Sequence, residues 1–281
     1  MPELEIPIIK ERIKTELIQS GTQVDPLVEK AIKRAVEEET SELAKDILLT
    51  LLENYQIGKR ECLPICQDTG TVVVFMEIGE KNCSQCREIE NAINEAIREV
   101  WQEESFRASI VQDPLFNRIN TKDNTPAVIH TKVISGEGLR LTLALKGGGA
   151  ENMSALKMLT PSEGADGIKS FVLETVLKAG GKPCPPIIIS IGIGGNFETC
   201  PLLAKRALFR ELGKPHPMPE YAALEAEILQ AVNQTGIGPQ GLGGKTTALA
   251  VQIETAPCHI ASLPVAVNLD CHAHRHITLT F

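Results

Sequence analysis

Residues 64–71 read Pro64-Ile65-Cys66-Gln67-Asp68-Thr69-Gly70-Thr71, which sets a thiol, an amide, a carboxylate and a hydroxyl on four consecutive positions. A thiolate can hold a metal or attack an electrophile, and a carboxylate can move a proton. A helix would spread these side chains around its circumference and a strand would alternate them between two faces. A turn pinned by Pro64 and released at Gly70 brings several of them to one place. The same stretch also suits a surface turn with one buried cysteine. Taken alone, the motif gives the two readings equal weight.

Other segments carry chemistry of their own. Lys146-Gly147-Gly148-Gly149 joins a strand-like run to the next element, and three glycines there expose backbone N–H groups suited to an anion. Cys184 is boxed by Pro183, Pro185 and Pro186 just before an apolar run, which fixes it on a stiff backbone. Arg107 lies in a long polar loop running from Phe106 to Pro126, and long loops in compact domains are often functional. Cys83-Ser-Gln-Cys86 is a local thiol pair in a polar turn, with no second such pair to complete a zinc ribbon. Cys258-His259 and the run Cys271-His272-Ala273-His274-Arg275-His276 invite a zinc reading, although alternating histidines also fit the two faces of a strand. Two glycine-rich loops miss nucleotide patterns. Gly192-Ile193-Gly194-Gly195-Asn196-Phe197 has Phe197 in place of the third glycine, and residues 236–247 have Pro239 where a phosphate loop needs its first glycine. The second of these is expected to face a ligand or a partner.

The elements that must position these groups follow from periodicity. Ile6, Ile9, Ile13 and Leu17 fall at helical spacing, and Asp25-Pro26 opens a second helix carrying Leu27, Ala31, Ile32 and Ala35. A third helix carries Leu43, Ile47 and Leu51 toward Asn54. Thr71–Ile78 reads as a buried strand, and residues 86–104 as an amphipathic helix with Trp101 in the core. Ala127–Ile134 and Leu139–Lys146 flank Gly136-Glu137-Gly138 and predict an antiparallel hairpin. The glycine run should then lead into a helix with Met153, Leu156 and Leu159. Helices over 166–179, from Thr199 and over 219–233, and strands near 187–191, 247–253, 264–269 and 277–281, complete the pattern. The fold class is mixed α/β: a helical region over about residues 1–60, then two intimately packed sheet-containing lobes, about 61–160 and 161–281.

Bulk composition narrows the function. The 281 residues are 43% hydrophobic and 23% charged, ordinary for a globular chain, with few aromatics, so packing falls to Ile, Leu, Val and Ala. A net charge of −8 argues against a nucleic-acid partner, which needs a basic face. No stretch has the roughly 18–20 apolar residues of a membrane span. The N-terminal MPELEIPIIK mixes acids among its apolar residues, unlike a secretory leader, and the expected location is the cytoplasm. Eight scattered cysteines in such a chain point to metal binding or catalysis rather than disulfides. The close cysteine spacing of a ferredoxin is absent.

Together, ICQDTGT, FRASIVQDPL, KGGGAEN, PCPPIIISIGIGGN, GPQGLGGKTTALAV, the His259 loop and LDCHAHR resemble, nearly end to end, the alpha subunit of the class I iron-sulfur fumarate hydratase and L-tartrate dehydratase family. The resemblance implies that Cys66, Cys184 and Cys271 hold a 4Fe-4S cluster, one iron of which has no protein ligand and acts as a Lewis acid. It implies Asp68 as the proton-transfer residue, and Gln67, Arg107, Gly148 and His259 as substrate-binding. The reaction implied is hydration of fumarate to malate, with tartrate dehydration as the alternative. A more distant alternative from the residues alone is a zinc or redox module using Cys83, Cys86 and the Cys-His run. Single-chain members of the family continue into a second domain where this chain stops at Phe281, so a separately encoded beta subunit is expected, in a dimer of heterodimers.

Overall fold

A computed structural model describes residues 4–281; the first three, part of the N-terminal stretch discussed above, lie outside the described residues. The helices are α1 (Ile6–Thr22), α2 (Pro26–Glu38), α3 (Glu42–Glu61), α4 (Cys86–Glu103), α5 (Gly148–Glu151), α6 (Gly164–Ala179), α7 (Thr199–Ala207) and α8 (Pro219–Asn233). The strands are β1 (Thr71–Gly79), β2 (Val128–Ile134), β3 (Leu139–Lys146), β4 (Ala155–Leu159), β5 (Ile187–Gly195), β6 (Ala248–Cys258), β7 (Leu263–Asp270) and β8 (His276–Thr280). The fold is mixed α/β, with N-terminal helices and two mixed four-stranded sheets flanked by helices. No described helix is long and apolar enough to cross a membrane.

The chain divides into two compact units, the first comprising Met1–Asp25, Asn54–Gly148 and Arg275–Phe281. Its sheet has the order β2-β1-β3-β8. One face of the inner strands is wholly apolar: Val72, Val74, Met76 and Ile78 of β1 and Leu141 and Leu143 of β3 are completely buried. Helix α1 presents Ile9, Ile13 and Leu17, one per turn, and α4 presents Ile89, Ile93, Ala96, Ile97 and Val100 to the same core. Each such side chain contributes about 2 kcal/mol by leaving water. On the polar side, Glu99 of α4 accepts from Lys10 at 2.9 Å and Lys14 at 2.7 Å, which fixes how the two helices meet.

The expected hairpin of residues 127–146 is not formed. Strand β1 lies between β2 and β3, parallel to the first (Val73 opposite Val128) and antiparallel to the second (Val73 opposite Ala144). The reason is visible at Gly79, whose N–H donates to the Gly138 carbonyl at 2.9 Å, so the end of β1 enters beneath the 136–138 turn. A Cβ at Gly79 would stand 2.5 Å from the Glu137 Cα, so no other residue fits there. Helix α3 also runs seven residues past its expected stop at Asn54, to Glu61. Asn54 spends its side chain on the Ile65 carbonyl, at 2.9 Å, instead of ending the helix.

The second unit comprises Pro26–Glu53 and Gly149–His274. Its sheet has the order β4-β7-β5-β6, with β5 antiparallel to β7 and parallel to β6. Ile187, Ile189, Ile191, Val265, Val267 and Leu269 of this sheet pack with Val172 and Val176 of α6 and Ile228 and Val232 of α8. Buried Glu225 on α8 pairs with Arg210 and accepts the N–H of Ile253 at 2.7 Å and of His216 at 3.0 Å, tying α8 to β6. The predicted helix through Met153, Leu156 and Leu159 is instead a single turn, α5, followed by strand β4, which pairs with β7 from Ala155↔Val267 to Leu159↔Leu263. Ser154 marks the switch: its Oγ receives the Asn268 side-chain amide at 2.8 Å and so belongs to the neighbouring strand.

At the α2–α3 junction Glu39 is 3% exposed. Its Oε1 accepts the N–H groups of Thr40 and Ser41, and its Oε2 accepts that of Lys245 at 2.8 Å. Burial pushes this carboxyl up, but the N–H groups of Ser41, Lys245, Thr40 and Thr246 outweigh it and hold the group below the usual range. The Lys245–Thr246 end of the glycine-rich loop over 236–247 therefore gives its N–H groups to a carboxylate of its own chain. A carboxyl with a depressed folded pKa stabilises the fold fully above its unfolded value of about 4.3 and loses that contribution as pH falls through the lower folded value. Glu39→Ala should cost about 2 kcal/mol or more at neutral pH, since it leaves several buried donors unmatched. In denaturant titrations the gap to wild type should narrow progressively below about pH 4.

Candidate active site

The Cys66–Thr71 stretch forms an irregular turn that feeds β1, and the first unit pins the backbone at Ile65, Asp68 and Gly70. The N–H of Ile65 donates to the Gly21 carbonyl at 3.0 Å, and the Ile65 carbonyl accepts from Asn54. The Asp68 carbonyl accepts from Arg275 Nη2 at 2.9 Å. The Gly70 carbonyl accepts from Asn124 Nδ2 at 2.9 Å, and Asn124 Oδ1 in turn receives the N–H of Ser109. Gly70 has φ +83°, and a Cβ there would stand 2.7 Å from the Lys146 carbonyl carbon, so the release of the turn requires glycine.

Held this way, Asp68 projects a carboxylate whose two oxygens are both oriented. Oδ1 accepts the N–H of Gly70 at 3.1 Å, and Oδ2 accepts the N–H of Gly148 at 2.7 Å. The glycine run that follows β3 thus meets the Asp68 side chain, which takes the Gly148 N–H for itself. Cys66 and Asp68 are half-buried while Gln67 is exposed, so the three side chains stand at the surface of their unit. Thr69 faces inward at 1% exposure: its Oγ1 donates to the Arg107 carbonyl at 2.9 Å and receives the Trp101 indole N–H at 3.1 Å. That pair anchors the backbone of Arg107 to the motif. The Arg107 guanidinium itself is exposed.

In the second unit, the antiparallel register Ile188↔Asp270 brings the entrance of β5 and the exit of β7 to the same end of the sheet. Cys184 precedes the first and Cys271 follows the second. Cys184 has φ +56° and donates its N–H to the Gly181 carbonyl at 3.1 Å. The next carbonyl, that of Pro185, accepts both the backbone N–H (2.7 Å) and the side-chain amide (2.8 Å) of Gln240. The second glycine-rich loop therefore braces the Cys184 turn. Cys271 is 9% exposed and heads a turn closed by His274 N–H to its carbonyl at 3.2 Å. The buried His274 Nδ1 lies 2.8 Å from Asp270 Oδ2 and locks that turn. His259 is exposed at the β6–β7 connection, and its Nδ1 accepts the Ala261 N–H at 3.1 Å, which leaves the ring proton on Nε2 when the imidazole is neutral.

The remaining cysteines are differently employed. Burial pushes the Cys200 thiol up to about 11, and this thiol donates to the Gly192 carbonyl. Burial and the neighbouring Cys83, 3.6 Å away between sulfurs, push Cys86 up to about 11 as well. Both stay protonated at neutral pH. No third ligand group joins Cys83 and Cys86 among the described residues. Cys258 donates to the Ser262 carbonyl.

Sequence reasoning missed the residues that hold the motif: Asn54, Asn124, Trp101 as a hydrogen-bond donor, and Arg275. Asn124 offered one signal, since an asparagine before Thr125-Pro126 is suited to the left-handed backbone it adopts at φ +56°.

Comparison with known proteins identifies relatives over nearly the whole chain. The family model described as Fumarate hydratase (Fumerase) matches residues 10–280. A Methanocaldococcus jannaschii protein named "Putative L(+)-tartrate dehydratase subunit alpha" is 44% identical over 253 residues, 88% of each chain. The L(+)-tartrate dehydratase subunit alpha of Escherichia coli K12 is 33% identical over 275 residues, 94% of this chain and 89% of its own. This chain therefore belongs to the fumarate hydratase and tartrate dehydratase alpha-subunit family of hydro-lyases.

Proposed function

We infer that the chain is the alpha-type subunit of an iron-sulfur hydro-lyase that adds water to fumarate, and removes it from malate, with Asp68 as the proton-transfer residue. The observation that carries this reading is the Asp68 carboxylate, held at 2.7 Å by the Gly148 N–H and two residues from Cys66. Each of its oxygens accepts one N–H and retains a lone pair, so it can take a proton without giving up its orientation. A base fixed in this way acts on the carbon beside the departing hydroxyl.

Cys66, Cys184 and Cys271 fit a 4Fe-4S cluster by the chemistry of the donor set. All three stand on braced turns next to strand ends, whereas burial pushes the Cys86 and Cys200 thiols up to about 11. When bound, such a cluster with one iron lacking a protein ligand supplies Lewis-acid activation of the substrate hydroxyl. Arg107, exposed and anchored through its backbone, suits a substrate carboxylate through its forked donors. Gln67 and His259 are further substrate-binding groups, and Gly148, whose N–H is taken by Asp68, borders the substrate through the base it orients. A separately encoded beta subunit supplies the rest of the site, in a dimer of heterodimers. The naming of the relatives as alpha subunits supports that reading.

The names of the relatives favour one second reading, L-tartrate as the substrate, since tartrate and malate are four-carbon hydroxydiacids that lose water in the same way. Anaerobically reconstituted protein, with and without its partner subunit, should be assayed on malate, fumarate and L-tartrate. Turnover of malate and fumarate that requires the partner supports the first reading. Turnover of tartrate alone selects the second, and full activity without a partner contradicts the two-subunit account. Asp68→Asn should keep its iron and sulfide but lower turnover by about a hundredfold or more, the scale of an acid-base group. Loss of iron in that variant would make Asp68 structural.

A further inference from the structure

The thiol pair Cys83-Ser-Gln-Cys86 is left unused by the site described above and lies wholly within the first unit. Its two sulfurs are 3.6 Å apart. Cys83 stands in a short 3-10 helical turn over Glu80–Gln85, and Cys86 opens α4. The Cys86 N–H donates to the Cys83 carbonyl, which closes the turn between them. A turn closed in this way keeps its end α-carbons within about 7 Å of one another, a separation that a disulfide can bridge. Structural zinc takes four ligands, and no third ligand group stands with this pair among the described residues.

The surrounding backbone holds the sulfurs at this separation. Asn82, 4% exposed, accepts the Gly138 N–H on Oδ1 at 2.9 Å, and the Lys81 N–H donates to the Gly136 carbonyl at 3.2 Å. Buried Gln85 accepts the Leu4 N–H at 3.0 Å and donates its side-chain amide to the Leu4 carbonyl at 2.9 Å. The residue before each cysteine is thus fixed by a buried side chain. Both cysteines are themselves half-buried, with exposed Ser84 and Arg87 beside them, so a small molecule has an approach. Bonding requires the sulfurs to close by about a further 1.5 Å, which rotation of the two side chains supplies.

We propose that Cys83 and Cys86 form a redox-active dithiol site, which a low-molecular-weight disulfide oxidises to an intramolecular disulfide. One cysteine, as thiolate, attacks a sulfur of the small disulfide, forming a mixed disulfide and releasing one small thiolate. The other then loses its proton to solvent and attacks the protein sulfur of the mixed disulfide, releasing the second small thiolate. Two electrons pass from the pair to the small disulfide, which leaves as two thiols. Burial and the contact with Cys83 hold the proton on Cys86, so the first attack falls to Cys83 and the closing step to Cys86. Proximity favours that closing step over a second attack from solution. The assignment concerns the first unit alone and stands apart from the hydro-lyase reading.

The test uses the cluster-loaded protein with its partner subunit, equilibrated anaerobically in mixtures of reduced and oxidised glutathione. Samples are quenched in acid, alkylated and mapped by peptide mass spectrometry, and melting curves are taken in the same buffers. Wild type should pass from separately alkylated Cys83 and Cys86 to one internally linked peptide as the oxidised fraction rises, with the fold intact, and dithiothreitol should reverse the change. Cys86→Ser, which lacks the closing thiol, should accumulate a glutathione adduct at Cys83 about tenfold or more above the wild-type level. Separate alkylation of Cys83 and Cys86 at every ratio, up to glutathione disulfide alone, overturns the assignment. So does a glutathione adduct that persists unresolved on wild-type protein, a link from either residue to another cysteine, or a link that forms only in unfolded protein. If Cys86→Ser melts far below wild type, the wild-type titration decides by itself.

Discussion

The hydrogen bond from the Gly148 N–H to Asp68 Oδ2 is the contact on which the geometry of the first unit turns. It joins the end of β3 to the turn that enters β1, two strands already paired from Thr71↔Lys146 onward, and so closes the loop between them. Its partner bond, from Gly70 to Oδ1, uses the same carboxylate to fix the turn internally. Without that carboxylate the N–H groups of Gly70 and Gly148 lose their acceptor, and unmatched donors are expensive when shielded from water. One side chain thus serves the fold and stands ready for chemistry. Such double use is why the surrounding backbone is pinned so heavily, by Gly21, Asn54, Asn124 and Arg275.

The second unit follows the same logic with different parts. Its cysteine turns sit at one end of a sheet whose inner strands are almost wholly apolar, and each is stiffened by groups that look functional in isolation. The loop over 236–247 resembles a phosphate loop in composition, yet Lys245 N–H binds Glu39 and Gln240 binds the Pro185 carbonyl. The Cys-His run resembles a zinc site, yet His274 is paired with Asp270 across the turn that begins at Cys271. In both places glycine and histidine serve to hold a cysteine-bearing turn in shape.

Local pattern carried the reading of the fold wherever local forces decide it. The Ile9, Ile13, Leu17 stripe of α1, the apolar run of β1, the limits of β3 and the proline-initiated α8 were all legible because each depends on its own neighbours. The hairpin and the helix after Gly149 were misread for one shared reason. Strand pairing is a long-range choice: β1 displaces β2 from β3, and β7 recruits residues 155–159, and neither partner is adjacent in sequence. The same limit governs the site. Cys66, Asp68 and the glycine run announce themselves through their spacing, whereas the roles of Asn54 and Arg275 depend on residues 11 and 207 positions away. The identity of the three cysteines as a set came from resemblance alone, since sites 66, 184 and 271 share no spacing rule.

The central proposal is that these three cysteines, and not the other five, hold an iron-sulfur cluster. Iron and acid-labile sulfide should be measured on anaerobically prepared protein, with electron paramagnetic resonance after mild oxidation, for serine substitutions at Cys66, Cys184 and Cys271 and, as controls, at Cys86 and Cys200. The account predicts a three-iron signal in wild type and both controls, and its loss in each of the other three. A signal that survives substitution at Cys66, Cys184 or Cys271, or zinc bound in place of iron and sulfide, would contradict it.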